Sequence, residues 1–126
     1  MIYNYTMKWT IKLYQKNGKI PVLEFIQSLP AKEQAKVERE IDLLEKFGIF
    51  LGQPHADKIK GEKYKGLWEL RIKFSSNIMR VFYFLPKERT FVLLHAIKKK
   101  SNRPRISDLE IARRRMLDYI QQEVGS

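Results

Sequence analysis

Arg71, Arg80 and His95 are the side chains in this sequence whose types and spacing could do chemistry. Each lies within one of three short runs of β-branched and aromatic residues between Leu67 and Lys100. Polar breaks separate the runs, a pattern typical of consecutive antiparallel strands joined by hairpins. A charged side chain inside a half-buried strand is costly unless it has a partner or a ligand.

The spacing of the breaks predicts how these three side chains are arranged. If Ser75-Ser76 forms a two-residue loop, Arg71 lies opposite Arg80. If Lys87-Glu88 is the tip of the second hairpin, Arg80 in turn lies opposite His95. Directly opposed residues share a face, and opposed like charges destabilise a sheet by up to roughly 1 kcal/mol. A row of two arginines and a histidine is therefore unfavourable for the stability of the sheet and suited to binding an anion, provided that no bulge changes the register.

Two arginines and a histidine supply the parts for metal-independent cleavage of RNA. The substrate's 2′-hydroxyl is the nucleophile, so the protein must align it, remove its proton, stabilise the phosphorane and protonate the leaving oxygen. Arginine binds phosphate oxygens bidentately, and histidine exchanges protons near neutral pH. His95 alone is better explained as a hydrogen-bonded strand histidine, but the two arginines in its row favour a functional role.

The charge of the chain points to a polyanionic partner. The 126 residues carry a formal net charge of +11, which favours nucleic acid first, with an anionic membrane surface or an acidic protein as alternatives. No apolar run reaches the ~20 residues that span a bilayer, and the N-terminus lacks the pattern of a secretory signal. A cytoplasmic protein without a membrane partner is the expectation.

Most other enzyme classes have no support in the sequence. There is no cysteine, no glycine-rich phosphate loop, no Gly-x-Ser-x-Gly elbow and no His-Glu-x-x-His motif. His55 and His95 are the only histidines, and Asp57 near His55 has no diagnostic metal-ligand spacing. We therefore predict neither a metal site nor a cofactor.

Hydrophobic periodicity predicts one α+β domain over residues 1–126, with residues 1–6 as a lead-in. The order is strand, helix, helix, three antiparallel strands, helix, with the helices packed on one face of the antiparallel sheet. Ser107 and Glu110 are spaced as a capping box for the last helix. The predicted core face of the sheet carries Trp68, Leu70, Ile72, Met79, Val81, Leu94 and Ala96, and the predicted core stripe of the last helix carries Leu109, Ala112, Met116 and Ile120.

Two basic segments flank the three strands. The loop before them includes Lys58 and Lys60, and the connector after them includes the run Lys98–Lys100 and Arg103. Either segment is suited to contact phosphates, and for the first a plain solvated loop is equally compatible.

Several segments resemble the HigB-type, phage-Gp49-like branch of the RelE/ParE toxin superfamily. The resemblance runs from Met7 to about Gln121, and the segments that carry it are Pro21–Pro30, Leu67–Arg71, Arg80–Phe84, Leu93–Lys99 and Glu110–Tyr119. It implies a small RelE-like domain, paired with a helix-turn-helix antitoxin of the HigA type, that cleaves mRNA in the ribosome without metal.

The resemblance also implies roles for individual residues. Arg71 and Arg80 would contact the scissile phosphate, His95 would transfer a proton, and Lys98 or Lys99 would support the phosphate or the leaving group. The implied RNA-binding residues are Lys58, Lys60, Lys99, Lys100 and Arg103. Tyr83 is the nearest tyrosine to the site, but the register turns it to the core face. A binder of RNA, ribosome or DNA that does not cut, or a ParE-like gyrase inhibitor on the same fold, is the alternative.

Overall fold

A computed structural model describes residues 8–125, so the predicted lead-in of residues 1–6 lies outside the described residues. The elements are β1 (Thr10–Leu13), α1 (Pro21–Gln27), α2 (Ala31–Phe47), β2 (Ala56–Lys58), β3 (Trp68–Phe74), β4 (Asn77–Lys87), β5 (Thr90–Lys99) and α3 (Ile106–Gly125). Pro21 starts α1, and Gly48, with a φ of 58°, follows the end of α2. Within residues 8–125 no helix combines the length and apolar character needed to cross a membrane.

The strands form one mixed sheet in the order β1-β5-β4-β3-β2. Three antiparallel strands, β3, β4 and β5, make its centre, which confirms the predicted α+β class and the predicted hairpins. The prediction of a wholly antiparallel sheet is wrong, because β1 runs parallel to β5 at one edge. The other edge strand, β2, was not predicted, since its three residues Ala-Asp-Lys show no alternating apolar pattern.

Helices cover both faces of the sheet, so the expectation that they would pack on one face is wrong. On one face, α1 and α2 bury Val22, Ile26, Val37 and Leu44 against Leu70, Ile72, Met79 and Val81. On the other, α3 buries Leu109, Ala112 and Met116 against Phe82, Phe84, Val92 and Leu94. The physical reason is that β4 and β5 carry large apolar side chains on both faces, and both apolar faces must leave water.

The last helix differs in two details from its predicted form. It begins at Ile106 rather than after Ser107, and the N–H of Leu109 donates to the Arg105 carbonyl at 3.2 Å. Glu110 does not close a capping box, because its Oε2 accepts from the Tyr64 hydroxyl at 2.6 Å. The predicted core stripe ends at Met116, since Ile120 is 44% exposed.

Two irregularities in the β4–β5 ladder set which way the residues of β5 point. Near the hairpin tip, Leu85 and Pro86 stand opposite one residue of β5, at a place where proline has no N–H to offer the ladder. Further along, Phe82 pairs with His95 and Tyr83 pairs with Leu93, so Leu94 is an extra residue in β5. This β-bulge turns both Leu94 and the residue after it towards α3. Leu94 therefore lies opposite to its predicted face, whereas the other six predicted core-face residues lie as predicted.

Candidate active site

The face of β3, β4 and β5 that α3 partly covers carries three rows of paired residues. They are Lys73–Ile78–Lys99, Arg71–Arg80–Ile97 and Glu69–Phe82–His95. The predicted pairing of Arg71 with Arg80 is confirmed, but the predicted pairing of Arg80 with His95 is wrong. His95 lies one row further along the strands, a step of about 6.8 Å for two residues. The tip of the β4–β5 hairpin lies between Lys87 and Thr90, one residue later than predicted. The first irregularity adds one residue to β4 and the second adds one to β5, so together they leave the pairing beyond them unchanged.

The carboxylate of Glu69 lies between the two opposed arginines. Its Oε1 is 3.4 Å from Nε of Arg71 and 3.5 Å from Nε of Arg80, so one anion offsets the repulsion of two cations. Glu69 is buried, and burial raises the pKa of its carboxyl although both arginines act in the opposite direction. The cluster therefore holds one buried carboxylate and two guanidinium groups, and it stays one negative charge short of neutrality.

Arg80 is the most deeply buried cation of this cluster, with 0% of its surface exposed. Its Nη1 donates to the carbonyl oxygen of Ser101 at 3.0 Å. Its Nε and Nη2 make no hydrogen bond to any of residues 8–125, and Nε meets Glu69 only as an ion-pair contact. Burial lowers the pKa of this guanidinium, against the pull of Glu69. Because buried donors are almost always satisfied, the two Arg80 donors that make no hydrogen bond within residues 8–125 are available to an acceptor from outside that range.

His95 is held on both sides of its ring by residues of α3. Its Nε2 is 3.1 Å from Oδ1 of Asp108, and its Nδ1 is 3.3 Å from Nη1 of Arg115. Since a carboxylate only accepts and a guanidinium only donates, Nε2 carries the hydrogen and Nδ1 is the acceptor. Burial and the nearby Arg115 lower the pKa of His95, whereas Asp108 raises it. The imidazole also stacks on Phe82 at 5.9 Å. The structure therefore holds a neutral histidine with one defined tautomer.

The two neighbouring lysines at the end of β5 lie on opposite faces of the sheet. Lys98 points towards α2, where its Nζ contacts Oε1 and Oε2 of the buried Glu33 at 2.9 and 3.2 Å. The structure thus does not bring Lys98, a predicted catalytic residue, to the arginines. Lys99 lies on the arginine face, across Ile78 from Lys73.

The other predicted RNA-binding residues are exposed but lie in three places. Lys58 pairs with Trp68, which packs against the core under α1 and α2, and its Nζ lies 5.3 Å from the Trp68 ring centre. Lys60 lies in the connection after β2. Lys100 and Arg103 belong to the loop whose Ser101 carbonyl binds Arg80. Of these, only the loop residues adjoin the arginine cluster. Tyr83 lies in the core under α1 and α2, as its register predicted.

Four residues of the site were not singled out in the sequence, namely Glu69, Lys73, Asp108 and Arg115. Glu69 and Lys73 flank Arg71 at a spacing of two, so the alternation of a strand was a usable signal for both. Asp108 and Arg115 lie seven residues apart, about two turns of helix. No pattern in the sequence shows that this face of α3 meets His95 rather than solvent.

The described residues contain no group of three or more His, Asp or Glu side chains that could hold a metal ion. His55 contacts Glu40 through Nδ1 at 2.9 Å, and Asp57 accepts from Gln53 at 2.8 Å. The arrangement on the arginine face is suited instead to binding a phosphate, with cations on three strands and a titratable ring one row away.

A family model described as phage derived protein Gp49-like (DUF891) matches residues 24–117, which include every strand of the site and most of α3. No curated protein matches the sequence.

Proposed function

Because this chain belongs to the family of phage-derived Gp49-like proteins, we propose that it is the HigB-like toxin of a type II toxin–antitoxin system and cleaves mRNA on the ribosome without a metal ion. The Gp49-like family is a family of RelE/HigB-like toxins, which supports a toxin with a cognate antitoxin. The observation that carries the nuclease proposal is the pairing of Arg71 with Arg80 beside Glu69, with donors on both arginines that make no hydrogen bond within residues 8–125.

The charge of the arginine face supports phosphate as its ligand. The three rows hold four cationic side chains and the carboxylate of Glu69. A phosphodiester supplies the one negative charge that the cluster of Arg71, Arg80 and Glu69 lacks, and its two free oxygens accept hydrogen bonds. The guanidinium groups of Arg71 and Arg80 can bind those oxygens bidentately, and Lys73 and Lys99 extend the positive surface along the strands.

The proposed reaction needs no group from outside the RNA and this chain. The 2′-oxygen attacks the adjacent phosphorus, loses its proton, and forms the O2′–P bond while the P–O5′ bond breaks. The leaving O5′ takes up a proton, and the products are a 2′,3′-cyclic phosphate and a 5′-hydroxyl. Arginines at the phosphorane oxygens stabilise the charge that develops there, the type of contact worth roughly 10²–10³ in rate.

In this proposal His95 moves a proton through its Nδ1. Its Nε2 already carries the hydrogen donated to Asp108, so only Nδ1 can accept another. Asp108 then stabilises the imidazolium that forms, as a carboxylate does for a catalytic histidine elsewhere. Arg115 occupies Nδ1 in this structure and must move before the ring can act.

A binder that does not cut RNA is the second candidate, and two observations favour it. Arg80 is fully buried, and both ring nitrogens of His95 are engaged within the fold. A basic face of this kind can still dock on RNA through Arg71, Lys73 and Lys99.

The test uses a reporter mRNA on translating ribosomes, mapped by primer extension, with the wild type and Arg71→Ala. The key substrate is a matched mRNA with a single 2′-deoxynucleotide immediately 5′ of the mapped cut. We expect in-frame cuts in the ribonucleotide mRNA, 5′-hydroxyl ends on the downstream fragments, and no cut at the deoxy position.

Lys12→Ala serves as the matched control, because Lys12 is an exposed cation on β1, away from the arginine rows. It should cut like the wild type. Cuts that persist at the deoxy position, or that leave 5′-phosphates, would exclude the proposed attack by the 2′-oxygen. Growth arrest without cuts would establish the non-cleaving binder instead.

A further inference from the structure

A cationic cavity lies beside the candidate active site, between the turn after β1 and the outer part of α3. It has a volume of about 390 Å³, and its lining includes Lys16, Lys19, Arg114, Arg115 and Asp118. Four cationic side chains therefore face one carboxylate in a cavity to which the proposed cleavage assigns no ligand.

The one carboxylate of this cavity is already occupied by neighbours. Asp118 accepts hydrogen bonds from the Tyr14 hydroxyl, from Lys16 Nζ at 3.3 Å and from Gln122 Nε2 at 2.8 Å. Lys19 and Arg114, by contrast, make no ion pair and no side-chain hydrogen bond to any of residues 8–125. The cavity therefore has an uncompensated positive charge with free donors.

The backbone around the cavity fixes where these cations stand. Lys16 and Lys19 exchange two backbone hydrogen bonds of 2.9 Å, which close a tight turn around Asn17 and Gly18 with φ angles of 52° and 78°. Arg115 is fixed from the other side, because its Nη1 donates to the carbonyl oxygen of Leu94 at 2.9 Å.

We propose that this cavity binds a backbone phosphate of the same RNA strand whose scissile phosphate lies at Arg71 and Arg80. The inference rests on the proposed function for the identity of the strand. Arg115 joins the two sites, because it lines the cavity and also holds Nδ1 of His95 at 3.3 Å. A phosphate in the cavity competes for the Arg115 guanidinium and so frees Nδ1 of His95. Binding of the RNA strand in the cavity is thereby coupled to proton transfer by His95.

The test measures binding rather than cleavage. A fluorescein-labelled 2′-O-methyl RNA, which has no free 2′-hydroxyl and cannot be cut, is titrated by anisotropy against the full chain at several salt concentrations. The cavity variant is Lys19→Ala/Arg114→Ala. The matched control is Lys32→Ala/Arg39→Ala, which removes two exposed cations from α2 and changes the net charge equally.

We expect the cavity variant to bind at least tenfold more weakly and the control to bind like the wild type. The slope of log K against log salt should decrease by about 0.7 for each lost phosphate contact on a single strand. A Lys19→Arg/Arg114→Lys variant keeps both charges and should restore the affinity, which separates a binding defect from a folding defect. In NMR spectra, the 2′-O-methyl RNA should shift the ring signals of His95 in the wild type but not in the cavity variant.

Equal affinities for the cavity and control variants would overturn the proposal, as would a wild type that does not bind this RNA. Weaker binding of an acidic peptide with unchanged binding of RNA would assign the cavity to a protein partner instead. If the cavity variant loses RNA affinity while the wild type never cuts mRNA, the cavity is a site for an RNA phosphate, and the nuclease proposal falls together with the identity of the strand.

Discussion

Nη1 of Arg80 donates a 3.0 Å hydrogen bond to the carbonyl oxygen of Ser101, which joins a fully buried guanidinium to an exposed loop. Burial strengthens the electrostatic effect of a charge on a reacting group, but it also keeps the substrate away. Arg71, with 35% of its side chain exposed, is therefore the more accessible of the two arginines for the proposed phosphate. Arg80 has no exposed surface, so in the proposed reaction its guanidinium reaches a phosphate only after a neighbouring group moves.

This difference predicts that the two arginines respond differently to truncation. Arg71→Ala should leave the unfolding midpoint close to that of the wild type and lower the cleavage rate by roughly 10²-fold or more, because it removes one phosphate contact. Arg80→Ala leaves Glu69 buried without its deepest partner, and breaking a buried pair typically destabilises by about 3–5 kcal/mol. Urea unfolding and single-turnover cleavage on ribosomes, measured for both variants, check the prediction.

Arg80→Lys is the useful control, since it keeps a charge near Glu69 but removes the planar fork that matches a phosphate. It should recover part of the lost stability and little of the activity. An Arg80→Ala protein as stable as the wild type would show that the buried arginine is not part of a coupled charge cluster.

The adjacent residues Lys98 and Lys99 at the end of β5 lie on opposite faces of the sheet and allow a second comparison. Lys99→Ala should weaken RNA binding and reduce its salt dependence, because Lys99 lies on the arginine face. Lys98→Ala should leave RNA binding unchanged and lower stability by up to about 1 kcal/mol, since Lys98 pairs with Glu33 on the other face. Anisotropy titrations and urea unfolding of the two variants separate these effects. If Lys98→Ala were the variant that loses RNA affinity, the assignment of faces would fail.

The sequence predicted the three central strands but not their full register, because the β4–β5 hairpin tip lies one residue later than predicted and β5 contains a bulge. A period-two pattern places Arg71 opposite Arg80 because the loop between β3 and β4 is short and regular. The extra residue Leu94 changes the alternation of β5 at its centre, and no local feature separates this bulged leucine from Leu93 beside it. Register beyond a bulge depends on the tertiary packing of α3, which periodicity does not report.

The contacts of the site were less predictable than its strands. Glu69 and Lys73 follow from the alternation around Arg71 once a functional face is assumed. The partners of His95 come from α3, which the sequence placed on the other face, so Asp108 and Arg115 could not be paired with it. Phe82 and Phe84 lie on the face opposite to Val81 and Tyr83. Large apolar residues on both faces of β4 were the signal in the sequence that both faces of the sheet are covered.

The network around His95 predicts a specific dependence of stability on pH. The pKa of His95 in the folded protein lies below its ordinary value of 6.5, chiefly because of burial, so the folded state binds this proton less readily than the unfolded state. The stabilisation is therefore complete above pH 6.5 and is lost as the pH falls through the lower pKa of the folded state. His95→Gln should remove this part of the decline, whereas His55→Gln should keep it. Urea unfolding of the three proteins between pH 7.5 and pH 5 measures the difference, and a His95→Gln protein that declines as steeply as the wild type would show that folding does not lower the pKa of His95.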